Sequence, residues 1–157
     1  MNGFHPVRPA MRADIPGMQR VRMAVRENRL TSTVLTEAHY VQAIEETGRG
    51  WVVEHGGSVV GFAIGNRVTG NIWALFVDPE HEAHGHGRRL HDAMVEWLFG
   101  QGLSRLWLST EPGTRAQRFY EAAGWSWLGL LANGEAHYEL RRPDSHAHAG
   151  RWAGGQE

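Results

Sequence analysis

The stretch of residues 76–90 constrains the fold of this chain more than any other part of it. A strand-like run ends in Val-Asp-Pro, a loop carries Gly85 and Gly87, and a helical pattern then begins with two arginines. The N–H groups in the first turn of a helix lack partners within the helix and lie at the positive end of its dipole. This order therefore predicts an anion site suited to a phosphate group.

Apolar residues at helical spacing predict four helices. The clearest pattern follows the glycine loop, where residues 90, 93, 94, 97 and 98 share one face. Two helices come earlier, one begun by Asp14 and running to about residue 28, the other capped by Thr36 and ended by residues 47–48. In the fourth, Thr114 or its neighbour caps a helix that Gly124 ends.

Short apolar runs predict strands at residues 6–12, 51–54, 59–64, 71–77, 105–110, 125–131 and 136–140. Glycine-bearing turns join two pairs of these runs into antiparallel hairpins, at residues 55–58 and 133–134. The run 71–77 is apolar on both faces, with Trp73, Leu75 and Val77 on one of them, so we expect it in the middle of a sheet. The strands on either side of the glycine loop are expected to be parallel.

Size and composition favour one soluble domain. The 157 residues are 41% hydrophobic, which predicts a single domain over residues 1–142 followed by a disordered tail of small and polar residues at 143–157. The N-terminus has no signal pattern and no apolar run reaches about 18 residues, so we expect a cytoplasmic protein without a membrane span. The absence of cysteine excludes disulfides and thiolate chemistry.

The glycine loop does not match the common nucleotide-binding fingerprints. Read as a dinucleotide motif, Gly85 and Gly87 lack the third glycine, since Leu90 stands in its place. The sequence Gly-x-x-x-x-Gly-Lys-Ser/Thr of a Walker loop is absent. The net charge of −1 argues against nucleic acid as a partner.

Two separated motifs resemble the GNAT superfamily of N-acetyltransferases. The first is the Val77-Asp78-Pro79 strand end followed by the glycine loop, and the second is residues 114–125, which read Thr-Arg-Ala-Gln-Arg-Phe-Tyr-Glu-Ala-Ala-Gly-Trp. The element order is similar to that of the family over about residues 5–142. The resemblance implies an α/β fold with a mixed, mostly antiparallel central sheet flanked by helices, and with a splay next to the strand ending at Val77.

The resemblance also implies that the phosphate group is the pyrophosphate of acetyl-CoA, bound by backbone N–H groups of residues 84–88. The pantetheine arm would lie along the strand that ends at Val77, and Tyr120 would donate a proton to the departing sulfur. The residues implied in cofactor binding are Leu75, Phe76, Val77, His84, Gly85, His86, Gly87, Arg88, Arg89, Thr114 and Phe119.

Three positions depart from the family pattern. Glu82 stands where arginine or glutamine is usual, Gly113 replaces an asparagine, and Trp73 occupies the strand position where many members carry a glutamate as general base. The base is therefore open among Glu27, which we favour, Glu111, His137, and a base-free route with an amine of low pKa. Trp73 is expected either to line the acceptor side or simply to pack in the sheet.

Four histidines lie around the glycine loop, namely His81, His84, His86 and His91. We expect no metal there, because the loop is assigned to phosphate and no acidic triad accompanies the histidines. If His84 or His86 charges near the phosphates, cofactor affinity should rise as the pH falls toward 6.

The sequence therefore predicts transfer of an acetyl group from acetyl-CoA to a primary amine of a small molecule, a peptide or a protein. A coenzyme A-binding module without catalysis is the alternative, and aminoacyl-tRNA is disfavoured as an acceptor by the lack of basic charge. A homodimer is a possible assembly, but the sequence specifies neither the oligomeric state nor the identity of the acceptor.

Overall fold

The structure is a computed structural model that describes residues 6–25, 35–82 and 84–143. It divides into two compact units, with the division between Gly102 and Leu103. The single domain expected over residues 1–142 stays a prediction. The tail expected to be disordered, residues 143–157, lies outside the described residues except for Pro143.

The first unit contains a four-stranded antiparallel sheet and three helices. The strands are β1 (Val7–Pro9), β2 (Gly48–His55), β3 (Ser58–Asn66) and β4 (Ile72–Val77), and the helices are α1 (Ile15–Val25), α2 (Glu37–Val41) and α3 (His86–Gly100). The strands lie in the sheet in the order β1-β2-β3-β4. Short 3₁₀ turns cover Arg12–Asp14 and Pro79–His81, and a π-helical turn, Gln42–Glu46, extends α2.

The second unit contains a three-stranded antiparallel sheet and one helix. Its elements are β5 (Arg105–Thr110), α4 (Arg115–Ala122), β6 (Ser126–Leu130) and β7 (Ala136–Arg141). The strand order is β5-β7-β6, so β7 pairs on both edges. The hairpin predicted at Asn133-Gly134 is confirmed, because β6 and β7 are antiparallel neighbours on either side of it.

The α/β class with antiparallel sheets flanked by helices is confirmed. The strands on either side of α3 belong to different sheets and different units, and every strand pair in the described residues is antiparallel. The parallel arrangement expected for the strands on either side of α3 stays a prediction. The mid-sheet position expected for residues 71–77 was wrong, since β4 is the last strand of its ladder. It is apolar on both faces because α1 and α3 both pack against it.

A β-bulge in β4 changes the direction of Trp73. Ala74 pairs with Ile64 and Ile72 pairs with Gly65, which leaves Trp73 as the extra residue between two paired positions. Trp73 therefore packs against the same core cluster as Phe76. The simple alternation that placed Trp73 with Leu75 and Val77 was wrong at this residue.

Two glycines of β3 allow α3 to lie close to the sheet. A Cβ at Gly65 would stand 2.8 Å from Cδ1 of Leu98, and a Cβ at Gly61 would stand 3.1 Å from Cδ1 of Leu90. Both leucines are fully buried. This contact anchors α3 along its length, and the beginning of the helix is thereby held on the first unit.

Asp14 has a different role from the predicted helix cap. It ends the 3₁₀ turn before α1, and its carboxylate accepts hydrogen bonds from the N–H of Met11 at 2.8 Å and from the guanidinium of Arg8 at 2.8 and 3.0 Å. The cap predicted at Thr36 is confirmed, because its hydroxyl accepts from the N–H of His39 at 3.4 Å.

Candidate active site

The end of β4 is shaped by Asp78. Its N–H donates to the carbonyl of Val60 at 2.8 Å, which continues the β3–β4 ladder by one residue. Its carboxylate accepts from the N–H of Glu80 at 2.9 Å and so caps the 3₁₀ turn that begins at Pro79. Proline lacks an N–H for the ladder and ends the strand here, and the chain turns toward the glycine loop.

Gly85 is the residue that starts α3. Its φ of 78° lies in the left-handed region, and the space above its Cα is open to 4 Å. The N–H of Arg89 donates to the carbonyl of Gly85 at 3.1 Å, so Gly87 and Arg88 lie in the first turn of the helix. Their N–H groups precede the internal ladder and lie at the positive end of the helix dipole. This donor set fits an anionic group such as the pyrophosphate of acetyl-CoA.

The two arginines of this turn have different partners. Nε of Arg88 donates to Oδ1 of Asp92 at 3.0 Å, one turn further along the helix. Arg89 instead donates to Nδ1 of His86 at 2.7 Å, back in the first turn. The His86 side chain is only 3% exposed. This pair was not predicted from the sequence. The spacing of three residues on a helix allows the contact, but the burial of the His86 ring depends on tertiary packing.

The other histidines of the loop differ in exposure. His84 is exposed, with its ring centroid 5.6 Å from that of His86. His91 is buried, and burial lowers its pKa, although the nearby Asp92 carboxylate opposes this effect. Within the ranges that the structure describes, no three histidine or carboxylate side chains are grouped so as to hold a metal ion.

The residues implied in pantetheine binding lie at the end of β4. Leu75, Phe76 and Val77 are all half-buried. Because β4 is the last strand of its ladder, its outer edge carries main-chain groups that take no part in pairing with β3. An extended amide-containing chain could hydrogen-bond to this edge as an added strand does.

The start of α4 is confirmed as a capped helix terminus. The Thr114 hydroxyl accepts from the N–H of Gln117 at 3.4 Å and donates to the carbonyl of Glu111 at 2.7 Å. The N–H of Gly113, whose φ is 77°, donates to Oε1 of Gln117 at 2.7 Å. Gly113 thus has a turn role that asparagine adopts less readily. The cofactor roles of Thr114 and Phe119 stay predictions.

Tyr120 lies in the aromatic interior of the second unit. Its ring stands edge-on to Phe119 and Trp125, with centroids 5.3 and 5.6 Å away. Burial raises the pKa of the Tyr120 phenol above its usual value. The hydroxyl therefore keeps its proton at neutral pH, as a proton donor must.

Of the candidate bases, the structure describes Glu111 and His137. Glu27 lies outside the described residues. Glu111 is exposed in the turn after β5, and His137 is half-buried on β7, with its ring edge-on to Trp107 at 5.8 Å. Trp73, at the position where a glutamate is usual, stands edge-on to Tyr40, with centroids 5.3 Å apart.

No helix in the described ranges combines the length and the apolar character needed to cross a bilayer.

The chain is similar in sequence to a known N-acetyltransferase. Over 79 residues it is 29% identical to a [ribosomal protein bS18]-alanine N-acetyltransferase of Haemophilus ducreyi. The matched stretch covers 48% of this chain and 54% of that protein. The chain thus spans about half the length of the curated relative that it matches.

Solved structures show the same fold. The ribosomal-protein-alanine N-acetyltransferase of Brucella melitensis has a TM-score of 0.74 and 20% identity, over 87% of this chain and 99% of that chain. The PaiA N-acetyltransferase of Thermoplasma acidophilum, solved with coenzyme A, has a TM-score of 0.74 and 10% identity, over 89% of this chain and 100% of that chain.

The family comparison extends across both units. The model of the Acetyltransferase (GNAT) family matches residues 17–125 of this chain. These residues include the end of β4, the glycine loop and α4. The resemblance seen in the two sequence motifs is thereby confirmed, and this chain belongs to the GNAT acetyltransferase family.

Proposed function

We propose that the protein is an acetyl-CoA-dependent N-acetyltransferase that acetylates a primary amine of a small molecule, a peptide or a protein. The observation that carries this proposal is the start of α3. A glycine with φ of 78° opens the helix directly after the strand end of β4, and it leaves first-turn N–H groups on a surface with two arginines. Such a terminus is suited to a pyrophosphate.

The residues of the chain divide the work of binding. N–H groups of the first turn of α3 hold the phosphates, and the outer edge of β4 pairs with the amides of pantetheine. Acetyl-CoA, when bound, supplies an acetyl group activated as a thioester. The Tyr120 phenol holds the proton that the leaving thiolate requires. Burial raises the pKa of the phenol, so Tyr120 is a weaker acid than an ordinary tyrosine. The phenol therefore stabilises the thiolate first through a hydrogen bond.

The acceptor amine must be neutral to react. A lysine-like amine with a pKa near 10.4 is almost wholly protonated at pH 7, whereas an α-amino group with a pKa near 7.7 to 8.0 is partly neutral. With Trp73 on β4 in place of a carboxylate, an α-amino group is the easier acceptor. The relatives named for alanine acetylation make a peptide beginning with alanine the first acceptor to test.

Two measurements test the proposal together. Saturating acetyl-CoA should raise the melting temperature of the full chain by mass action. When the protein and acetyl-CoA are supplied with a panel of peptides and small amines, acetylation of an acceptor should release free coenzyme A thiol. A melting shift without thiol release from any amine would favour the non-catalytic coenzyme A-binding module. No shift at saturating acetyl-CoA would overturn the cofactor assignment and the proposed function with it.

A further inference from the structure

We propose that Glu135 binds the ammonium group of the acceptor, and that Ser109 is a positioning residue for the Glu135 carboxylate. This inference rests on the proposed function, because the acceptor of an N-acetyltransferase is an amine. It goes further by naming the form in which the acceptor binds, a primary ammonium on an otherwise uncharged body, and the face of the second unit that binds it.

The side chains of β7 alternate between the two faces of the sheet in the second unit. Tyr138 lies on the face that α4 covers, since its hydroxyl donates to the carboxylate of Glu121. His137 therefore lies on the opposite face, and the antiparallel register pairs it there with Ser109 of β5. Glu135, one residue before β7, reaches the same face, where its carboxylate accepts from the Ser109 hydroxyl at 2.7 Å.

Three hydrogen bonds fix the position of Glu135. Its N–H donates to Oδ1 of Asn133 at 2.9 Å, and its carbonyl accepts from the N–H of Leu131 at 2.8 Å. The third is the bond from Ser109 to Oε1. A carboxylate that is held in place before a ligand arrives loses less conformational entropy on binding. The turn between β6 and β7 thus presents Glu135 in one orientation.

Glu139 lies on the same face, but its charge is offset. Its Oε1 accepts from Nε of Arg105 at 2.6 Å, and its Oε2 accepts from Nε of Arg141 at 3.1 Å. The hydrogen bond from Arg105, aided by Arg141, lowers the pKa of the Glu139 carboxyl. Glu135 differs, because the partner of its carboxylate in the described part of the chain is a neutral hydroxyl. A positive charge stabilises a half-buried carboxylate, and the ammonium of the acceptor supplies this charge.

Two aromatic rings lie on the same face as Glu135. The register pairs Trp107 with Glu139 and Ser109 with His137, so the indole and the imidazole are diagonal neighbours. Their ring centroids are 5.8 Å apart, and both side chains are half-buried. Aromatic rings beside a carboxylate suit an ammonium group and the apolar carbons next to it. The face therefore fits an acceptor with one positive charge and an uncharged body.

The test uses two probes that differ only in the ammonium group. One is a short peptide that begins with alanine, has uncharged side chains and ends in an amide, and the other is the same peptide with its N-terminus acetylated. Calorimetric titration of the full chain, saturated with coenzyme A so that no turnover occurs, gives both dissociation constants. The wild type should bind the free peptide at least about tenfold more tightly, as expected for a hydrogen bond between charged groups.

Glu135→Gln separates the charge from the hydrogen bond. It keeps an oxygen that accepts from Ser109 and removes only the negative charge. It should weaken binding of the free peptide by roughly tenfold and leave binding of the acetylated peptide and the melting temperature unchanged. Glu139→Gln is the matched control, since it makes the same change on the same face. Its affinity for the free peptide should stay within about twofold of the wild type, because that carboxylate is already paired.

Two substitutions of Ser109 test its positioning role. Ser109→Ala removes the hydroxyl and should weaken binding of the free peptide by about threefold, the effect of one lost hydrogen bond. Ser109→Thr keeps the donor and should restore the affinity, whereas a purely structural role would show in the melting temperature alone.

The inference would be overturned if the wild type bound neither peptide or bound both equally, if a folded Glu135→Gln variant bound the free peptide as tightly as the wild type, or if Glu139→Gln caused the same loss. The proposed function has a separate test, since it fails if saturating acetyl-CoA gives no melting shift. A wild type that shows the shift but does not distinguish the two peptides would overturn this inference alone.

Discussion

The indole of Trp73 stands edge-on to the ring of Tyr40, with centroids 5.3 Å apart and planes at 82°. The bulge in β4 produces this contact, because the extra residue turns to the face that α2 covers. At the position where many family members carry a glutamate, this chain therefore packs an aromatic pair. The contact supports the sheet-packing interpretation of Trp73.

Replacing Trp73 with alanine should lower the free energy of unfolding by about 2 to 3 kcal/mol, since it removes a half-buried aromatic ring and its edge-to-face partner. Denaturant unfolding of the full chain measures this change. The matched control is Trp127→Ala on β6, where the indole is 58% exposed and the expected change is within about 0.5 kcal/mol. Similar losses in both variants would contradict the packing role.

Gly85→Ala tests the start of α3. A Cβ at this position meets no atom within 4 Å, so only the left-handed φ of 78° opposes the substitution. The strain should cost about 1 to 2 kcal/mol of stability and weaken binding of acetyl-CoA. Gly100→Ala at the other end of the same helix, also in open space, should be neutral or stabilising. Thermal unfolding and acetyl-CoA titration measure both effects, and a Gly85→Ala variant as stable as the wild type would show that the strain is absent.

Tyr120→Phe should lower kcat by roughly a hundredfold, the usual contribution of a positioned proton donor, while the affinity for coenzyme A stays unchanged. Because burial raises the pKa of this phenol, kcat should not fall through loss of its proton as the pH rises from 8 to 9.5. Steady-state thiol release measures both quantities. Tyr40→Phe removes a buried hydroxyl outside the proposed site and should retain kcat. Equal rates for the two variants would remove the acid role from Tyr120.

Asp14 should make stability depend on acid pH. Burial alone would raise the pKa of its carboxyl, but the hydrogen bonds from Arg8 and from the N–H of Met11 outweigh burial and lower it. A lowered folded pKa stabilises the protein above the unfolded pKa near 3.9, and this stabilisation is lost as the pH falls through the folded value.

The Asp14→Asn variant should therefore be less stable by about 2 kcal/mol at pH 7, and the difference should shrink below pH 4. Melting temperatures between pH 3 and pH 7 test this. Glu45→Gln breaks the exposed ion pair with Arg12 and should have a smaller effect. A pH-independent difference between wild type and Asp14→Asn would count against the ion pair.

Much of the local structure follows from short-range patterns. The periodicity of α3, the caps at Thr36 and Thr114, and the Asn133-Gly134 hairpin depend on residues within a few positions of one another. The left-handed turn at Gly85 belongs with them, since only glycine adopts that conformation readily. These elements, together with the two motifs, were enough to indicate the fold class and the family.

The sequence by itself therefore determined the approximate positions of the elements and the glycine turn at which α3 begins. Only the tertiary structure decided that β4 ends its ladder, that Trp73 faces Tyr40, and that His86 accepts a hydrogen bond from Arg89. The place of β4 depends on which segments pair with its two edges, and such pairing joins residues distant in the sequence. The direction of Trp73 depends on the register between β3 and β4, where a one-residue bulge reverses the direction of a side chain. The third depends on burial of the His86 ring, and burial is set by packing between segments that are distant in the sequence.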